Sequence, residues 1–108
     1  MIKVVFYMKE GRLCGFQSSG HADYADQGED IVCAGVSALV INCVNSIEKL
    51  TSDRADVKQK EDGFVSCRLQ DPVSSEGELL LQSLHLGITH IAEDYGRYVK
   101  VVEKSSSQ

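Results

Sequence analysis

The sequence predicts an α+β fold, a mixed α/β sandwich in which one sheet carries two packed helices. The chain has 108 residues, which is the length of one domain. Apolar residues alternate in five short segments, as in strands, and recur at three- and four-residue steps in two longer segments, as in helices. The predicted order is ββ-α-ββ-α-β. We assign the domain to residues 1–104 and expect a disordered tail at 105–108, which reads SSSQ.

The first two strands are predicted to form a hairpin over residues 2–19. Glu10-Gly11 is a turn signal, and the segments on either side of it, IKVVFYM and RLCGFQS, read as strands. The apolar residues on one face of the first strand are Ile2, Val4, Phe6 and Met8.

A helical period after Asp30 predicts the first helix. Asp30 suits the N-cap position, because its carboxylate accepts hydrogen bonds from N–H groups of the first turn. The helix is expected to end near Leu50, before the polar segment TSDRAD. The residues of its apolar stripe are Val36, Val40, Cys43, Val44, Ile47 and Leu50.

The second half of the chain repeats the pattern of a hairpin followed by a helix. Asp62-Gly63 marks the turn of a hairpin over residues 56–69. Glu76 to about Tyr95 is predicted to be helical, and RYVKVVE is the last strand. His85 lies at the edge of this helix's apolar face and is expected to be structural. The residues of that face are Leu80, Leu81, Leu84, Ile88, Ile91 and Ala92.

Charge and composition exclude several classes of protein. The net charge is −5, and the Lys and Arg residues are scattered, which disfavours a nucleic-acid partner because phosphate binding needs clustered cations. The N-terminus lacks the pattern of a signal peptide, and no apolar run of membrane-spanning length is expected. We therefore expect a cytoplasmic protein without a membrane partner. Its four cysteines are then expected to be free thiols.

The stretch GHADYADQGEDIVCAGVS, residues 20–37, holds the candidate catalytic residues. If Asp30 is the N-cap, Cys33 is the third helical residue, where free N–H groups favour a thiolate. The N–H groups of Cys33 and Ala34 would then be available to hold an oxyanion. His21 follows a strand directly, and a histidine is suited to act as general base and acid at neutral pH. Ser37 lies one helical turn beyond Cys33.

A structural role for these residues is the alternative. Cys33 can be read as a small buried hydrophobic residue, and Cys43 and Cys67 are expected to be packing residues. Cys14 is undecided between a structural and a functional role. A zinc site formed by Cys14, His21, Cys33 and Cys67 would lack the short paired spacing of structural zinc motifs, so neither a metal nor a cofactor is predicted.

A family resemblance adds to this interpretation. The sequence is similar to that of the bacterial ribosomal-processing cysteine protease family, known as Prp, along nearly the whole chain. The residues that carry the resemblance are Gly20-His21, Asp30-Ile31-Val32-Cys33-Ala34-Gly35, Ser37, Val44-Asn45-Ser46-Ile47, Leu50-Thr51-Ser52 and Asp62-Gly63.

The resemblance implies a cytoplasmic endopeptidase with a Cys-His dyad. Its substrate would be a short apolar N-terminal extension, with Phe residues next to the cut, on the large-subunit ribosomal protein numbered twenty-seven. His21 would be the general base and acid, and Cys33 the nucleophile. The residues expected to support them are Gly20, Asp30, Ala34 and Ser37.

The resemblance also implies a mobile substrate loop and a homodimer. The loop between His21 and Asp30 would move when substrate binds. Its expected contributors are Ala22, Tyr24 and, as a pivot, Gly28. For Tyr24, a position on the surface without a substrate contact is the equal alternative. Leu79 and Leu86, on the same side of the second helix as His90, fit a dimer contact.

Two other functional classes remain open from the sequence. One is a non-catalytic module that binds a ribosomal protein or assembly factor, with residues 20–37 forming a binding loop. The other is a thiol redox or metal protein. The absence of a C-x-x-C pair counts against the second class.

Overall fold

Five strands and two helices follow one another in the order ββ-α-ββ-α-β, which confirms the predicted fold class and order. The structure, a computed structural model, describes residues 1–20, 27–61 and 63–106, with only the helical backbone for residues 27–30. The elements are β1 Ile2–Lys9, β2 Arg12–Ser19, α1 Gln27–Leu50, β3 Ala55–Lys60, β4 Phe64–Leu69, α2 Ser75–Asp94 and β5 Val99–Ser105.

The five strands form one sheet in the order β3-β4-β2-β1-β5. Neighbouring strands are antiparallel except β1 and β5, which pair in parallel. Glu10 and Gly11 both have positive φ, 54° and 78°, as the two central residues of a type I′ hairpin turn do. The predicted hairpin over residues 2–19 is therefore confirmed.

Both helices pack on the same face of the sheet, and the core lies between the two layers. Phe6 of β1, Phe16 of β2 and Cys67 of β4 lie side by side across the strands and are fully buried. Ile47 of α1 and Ile88 of α2 are also fully buried in this core. The other face of the sheet carries no helix among the described residues, and we call it the open face.

The two helices run antiparallel and approach closely. Gly35 of α1 lies beside Ile91 of α2, and a Cβ at Gly87 would lie 3.0 Å from Leu39 Cδ1. Further along, the Cys43 thiol donates to the Leu80 carbonyl at 3.7 Å. These contacts place the N-terminal half of α1 next to the C-terminal half of α2.

Polar contacts join the end of α1 to the start of α2. The Asp53 carboxylate accepts from the Ser74 N–H at 2.9 Å and from the Ser74 hydroxyl, while that hydroxyl caps α2 by accepting from the Gly77 N–H. Burial opposes ionisation of Asp53, but the hydrogen bonds from Ser74 and Thr51 prevail and lower the pKa of its carboxyl.

The structure corrects two boundaries and one core residue predicted from the sequence. Helix α1 begins at Gln27, so Asp30 is its fourth residue and not its N-cap. The apolar period of the sequence could not reveal this earlier start, because the first turn of the helix is polar. Leu50 ends the helix but is 73% exposed and lies outside the core. Strand β5 runs to Ser105, and the Ser106 N–H donates to the Met8 carbonyl at 2.7 Å, so the tail expected at 105–108 starts too early.

Helix α1 also contains a segment that the sequence analysis did not expect. Residues 31–50 are long and apolar enough to cross a membrane by length and composition alone. The buried helix of a globular core meets the same criterion, and α1 packs its apolar stripe into this core. Its buried residues are Val32, Val36, Val40, Cys43, Val44 and Ile47.

The two core thiols predict a loss of stability at alkaline pH. Burial raises the pKa of Cys43 to about 12, and burial together with Glu48 and Asp56 raises that of Cys67 to about 11. The unfolded chain releases these protons near the ordinary thiol pKa of about 8.5. Because the folded state binds more protons above that pH, its free energy of unfolding falls as pH rises.

We expect the Cys67→Ala variant to be less stable than the parent protein at pH 7.5, and the gap to shrink by about 2 kcal/mol at pH 10. Urea unfolding at the two pH values measures the gap. Leu69→Ala, at a buried position of β4 without a titratable group, serves as the comparison for general alkaline effects. A gap for Cys67→Ala that does not change with pH would contradict the prediction.

Candidate active site

The candidate site lies at one end of the sheet, where β2 ends and α1 begins. The start of β1 and the start of β5 lie at this same end, because the Ile2 N–H donates to the Tyr98 carbonyl at 2.7 Å. The chain leaves β2 at Gly20 and enters α1 at Gln27. The sheet therefore holds the residue that precedes His21, and α1 carries Cys33 and Ser37.

Gly20 is required at its position by the backbone. Its φ is +92°, a value that residues with a side chain rarely adopt. A Cβ at Gly20 would also collide with the Met1 carbonyl oxygen. The Gly-His pair of the sequence thus has a structural cause: the chain must turn tightly against β1 immediately before His21.

Cys33 lies deeper in the helix than the sequence analysis predicted. Because α1 begins at Gln27, Cys33 is its seventh residue, beyond the first turn to which the effect of the helix dipole is largely confined. The N–H groups of Cys33 and Ala34 fall within the regular helical hydrogen-bond pattern. They are therefore not free to hold an oxyanion as the sequence suggested, and a supporting role for Ala34 stays a prediction.

The side chain of Cys33 is partly exposed and packs against the edge of the core. Its neighbour Val32 is 2% exposed and points into the core. Ser37 is exposed and lies four residues further along α1, a spacing that puts it on the same helical face as Cys33. Because the Cys33 thiol is partly exposed, it could act as a nucleophile on a peptide bound at the surface.

Several predicted site residues cannot be placed against Cys33. His21, Ala22 and Tyr24 lie outside the described residues, so the pairing of His21 with Cys33 stays a prediction. Gly28 and Asp30 are described by their helical backbone alone. Gly28 is the second residue of α1, so the expected pivot lies within the helix and not in the loop before it.

The other cysteines occupy different environments. Cys43 and Cys67 are buried at 4% and 0% exposure, which confirms them as packing residues. Cys14 lies at the irregularity between β1 and β2, and its thiol donates to the Tyr7 carbonyl at 3.4 Å. Burial raises the pKa of Cys14, and the nearby Arg68 guanidinium offsets part of that rise. Within the described ranges, no three His, Cys, Asp or Glu residues are grouped as metal ligands.

His85 and His90 occupy the two sides of α2 that the sequence predicts. The Phe6 and His85 rings meet edge to face with centroids 4.7 Å apart, and His85 Nε2 lies 2.8 Å from Glu103 Oε1. These contacts agree with a structural role for His85. His90 is exposed on the other side of the helix.

Sequence reasoning did not single out Met1 and Tyr98 as neighbours of the site. Both lie at the end of the sheet beside Gly20. No local pattern could have found them, because their proximity depends on the parallel pairing of the first and last strands of the chain.

The comparisons with known proteins agree with this arrangement. A family model for cysteine protease Prp matches residues 1–100. The ribosomal processing cysteine protease Prp of Staphylococcus aureus strain Mu50 is 36% identical over 93 residues, covering 85% of this chain and 88% of the relative.

Two crystal structures of an essential ribosomal processing protease Prp from S. aureus share the fold. One, in complex with a substrate peptide, has a TM-score of 0.88 at 33% identity and covers 96% of this chain and 100% of that chain. The other, with a covalently linked product peptide, has a TM-score of 0.87 at 34% identity with the same coverage. Family model, sequence and structure all agree, and the chain belongs to the cysteine protease Prp family.

Proposed function

We propose that this protein is a cytoplasmic cysteine endopeptidase that removes a short apolar N-terminal extension from the large-subunit ribosomal protein numbered twenty-seven. The observation that carries the proposal is the partly exposed thiol of Cys33 near the end of the sheet where Gly20 leads into His21. The S. aureus relative with a covalently linked product peptide supports an enzyme with a nucleophilic residue.

In the proposed mechanism, Cys33 and His21 act in two steps. The Cys33 thiolate attacks the carbonyl carbon of the scissile peptide bond, and His21 gives its proton to the departing amine. A thioester remains on Cys33. Water, deprotonated by His21, then attacks the thioester, which releases the carboxylate product and the free thiol. The first four N–H groups of α1 lack partners within the helix and are the proposed source of oxyanion donors.

Cleavage of a peptide tests the roles of the two residues. With a peptide that spans an apolar, Phe-containing extension, mass spectrometry should show cleavage by the parent protein. We expect Cys33→Ser to lose at least about 1,000-fold in rate and His21→Ala about 100- to 10,000-fold.

Cys14→Ser is the matched control, because it changes the other partly exposed thiol. This variant should keep the parental rate within about two-fold, as surface substitutions usually do. Parental cleavage by Cys33→Ser would exclude Cys33 as the nucleophile.

Gly20 is proposed to set the backbone direction that positions His21, and a pair of glycine variants tests this role. Gly20→Ala should lower kcat/KM by at least about ten-fold, because a left-handed backbone costs about 1–2 kcal/mol with a Cβ and Met1 is in the way. Gly11→Ala is the control. The φ of Gly11 is also positive, +78°, but a Cβ there would meet no atom within 4 Å, and the residue lies in the hairpin turn at the other end of the sheet.

Gly11→Ala should lose about 1–2 kcal/mol of stability in urea unfolding and Gly20→Ala more, but only Gly20→Ala should lose activity. Equal kcat/KM for the two variants would show that Gly20 has no role beyond folding.

We also propose that the protein is a homodimer joined through α2. Leu79 and Leu86 are 64% and 58% exposed and lie two helical turns apart on one side of α2. Sedimentation equilibrium should give a dimer for the parent protein and a monomer for Leu79→Lys/Leu86→Lys, because charge opposes burial of this surface. The variant Ile41→Lys, at an exposed position of α1, is the control and should remain dimeric. A dimer formed by the double variant would place the interface elsewhere.

A further inference from the structure

The open face of the sheet gathers cations that are scattered along the sequence. Side chains alternate between the two faces of a strand, so lysines two or four residues apart come to lie on one face. Only two acids occur in the five strands, and one of them, Glu103, turns toward α2 to contact His85. Six of the eleven Lys and Arg residues of the chain lie on the open face: Lys3, Lys58, Lys60, Arg68, Lys100 and Lys104.

The charge of this face is opposite to that of the whole chain. Asp56 is the one acidic strand residue on the open face, which leaves a net charge of +5 against its six cations. Lys9, at the rim, is neutralised by an ion pair with Asp71. Because the whole chain carries −5, the remaining surface carries −10. A nucleic-acid partner was disfavoured because the cations are scattered along the sequence. In the folded protein six of them lie on one face, so that reason no longer holds.

Like charges lie side by side on the open face. Lys3 of β1 is the direct cross-strand partner of Lys100 in β5, and like charges in such positions destabilise a sheet. No ion pair joins Lys3, Lys100 or Lys104 to an acid within the described part of the chain. All three are exposed. These three ammonium groups are therefore accessible to an external anion.

Two aromatic rings on the open face are paired with cations. Lys60 Nζ lies 5.1 Å from the centre of the Phe64 ring, and the Arg68 guanidinium lies 3.9 Å from that of Tyr7. Arg68 reaches Tyr7 across Gly15, where a Cβ would lie 2.5 Å from the Cys67 carbonyl oxygen and 3.2 Å from the Arg68 side chain. Sheets that carry both cations and aromatic rings bind single-stranded nucleic acids through phosphate contacts and base stacking.

We propose that the open face of the sheet binds single-stranded RNA, with the lysines on the phosphates and Phe64 available for a base. A second copy docked through the same face does not fit, because two such faces would bring +5 against +5. The choice of RNA rests on the proposed function, since RNA is the polyanion that surrounds a ribosomal protein. The site of cleavage lies on the helix side of the sheet, so RNA on the open face leaves Cys33 accessible.

Fluorescence anisotropy with a labelled oligouridine of 15 nucleotides tests the proposal. In 50 mM NaCl the parent protein should bind with a Kd in the micromolar range, about 10⁻⁶ to 10⁻⁴ M. The slope of log K against log [NaCl] should be about −0.7 for each phosphate neutralised. Lys3→Glu/Lys100→Glu should raise Kd at least about ten-fold and reduce the slope by about 1.4. The second variant, Lys58→Glu/Lys60→Glu on the edge strand β3, should act in the same direction.

The control variant is Lys49→Glu/Asn42→Asp/Asn45→Asp, which makes the same change in net charge at exposed residues of α1, on the helix side of the sheet. It should raise Kd by less than about three-fold. No binding by the parent protein, or equal losses in all three variants, would overturn the proposal. Polyglutamate that competes as well as oligouridine at equal charge would also overturn it, in favour of an acidic protein partner.

Peptide cleavage on the same samples separates this inference from the proposed function. Lys3→Glu/Lys100→Glu should cleave the free peptide at the parental rate, which also shows that the variant is folded. A parent protein that cleaves the peptide without binding RNA would overturn this inference alone. One that binds RNA without cleaving would overturn the proposed function alone.

Discussion

The parallel pairing of β1 with β5 is the contact on which the rest of the structure depends. It joins the first strand of the chain to the last. The other three strands and both helices therefore belong to the connection between two neighbouring strands. The start of β1 then lies between the start of β5 and the end of β2, which brings Met1, Gly20 and Tyr98 to one end of the sheet. Since both helices cover one face of the sheet, the same topology determines where the candidate site lies and which face remains open.

Much of this fold follows from local pattern. Alternation located both hairpins, and the turn signals Glu10-Gly11 and Asp62-Gly63 fell between paired strands. The start of α1 could not be found in this way, because its first turn is polar and has no apolar period. Leu50 matched the apolar stripe, but it is the last residue of the helix, where the sheet no longer covers it.

The site was predictable to a different degree. The sequence identified Cys33 as a candidate nucleophile through a supposed first-turn position, and the structure replaces that reason with a partly exposed position in the second turn. The need for glycine at position 20 depends on the Met1 carbonyl, which belongs to another strand. The cationic face was missed for a related reason: Lys3 and Lys100 are distant in sequence and adjacent only because β1 pairs with β5.

The distribution of the four free cysteines has a consequence for oxidation. Cys43 lies ten residues beyond Cys33 on the same helix, roughly 15 Å away, and both Cys43 and Cys67 are buried in the core. Cys14 lies near the hairpin turn of β1 and β2, away from the end that holds Gly20. A sulfenic acid formed on Cys33 would thus find no neighbouring thiol to close a disulfide, and only a small thiol from solution would stop its further, irreversible oxidation.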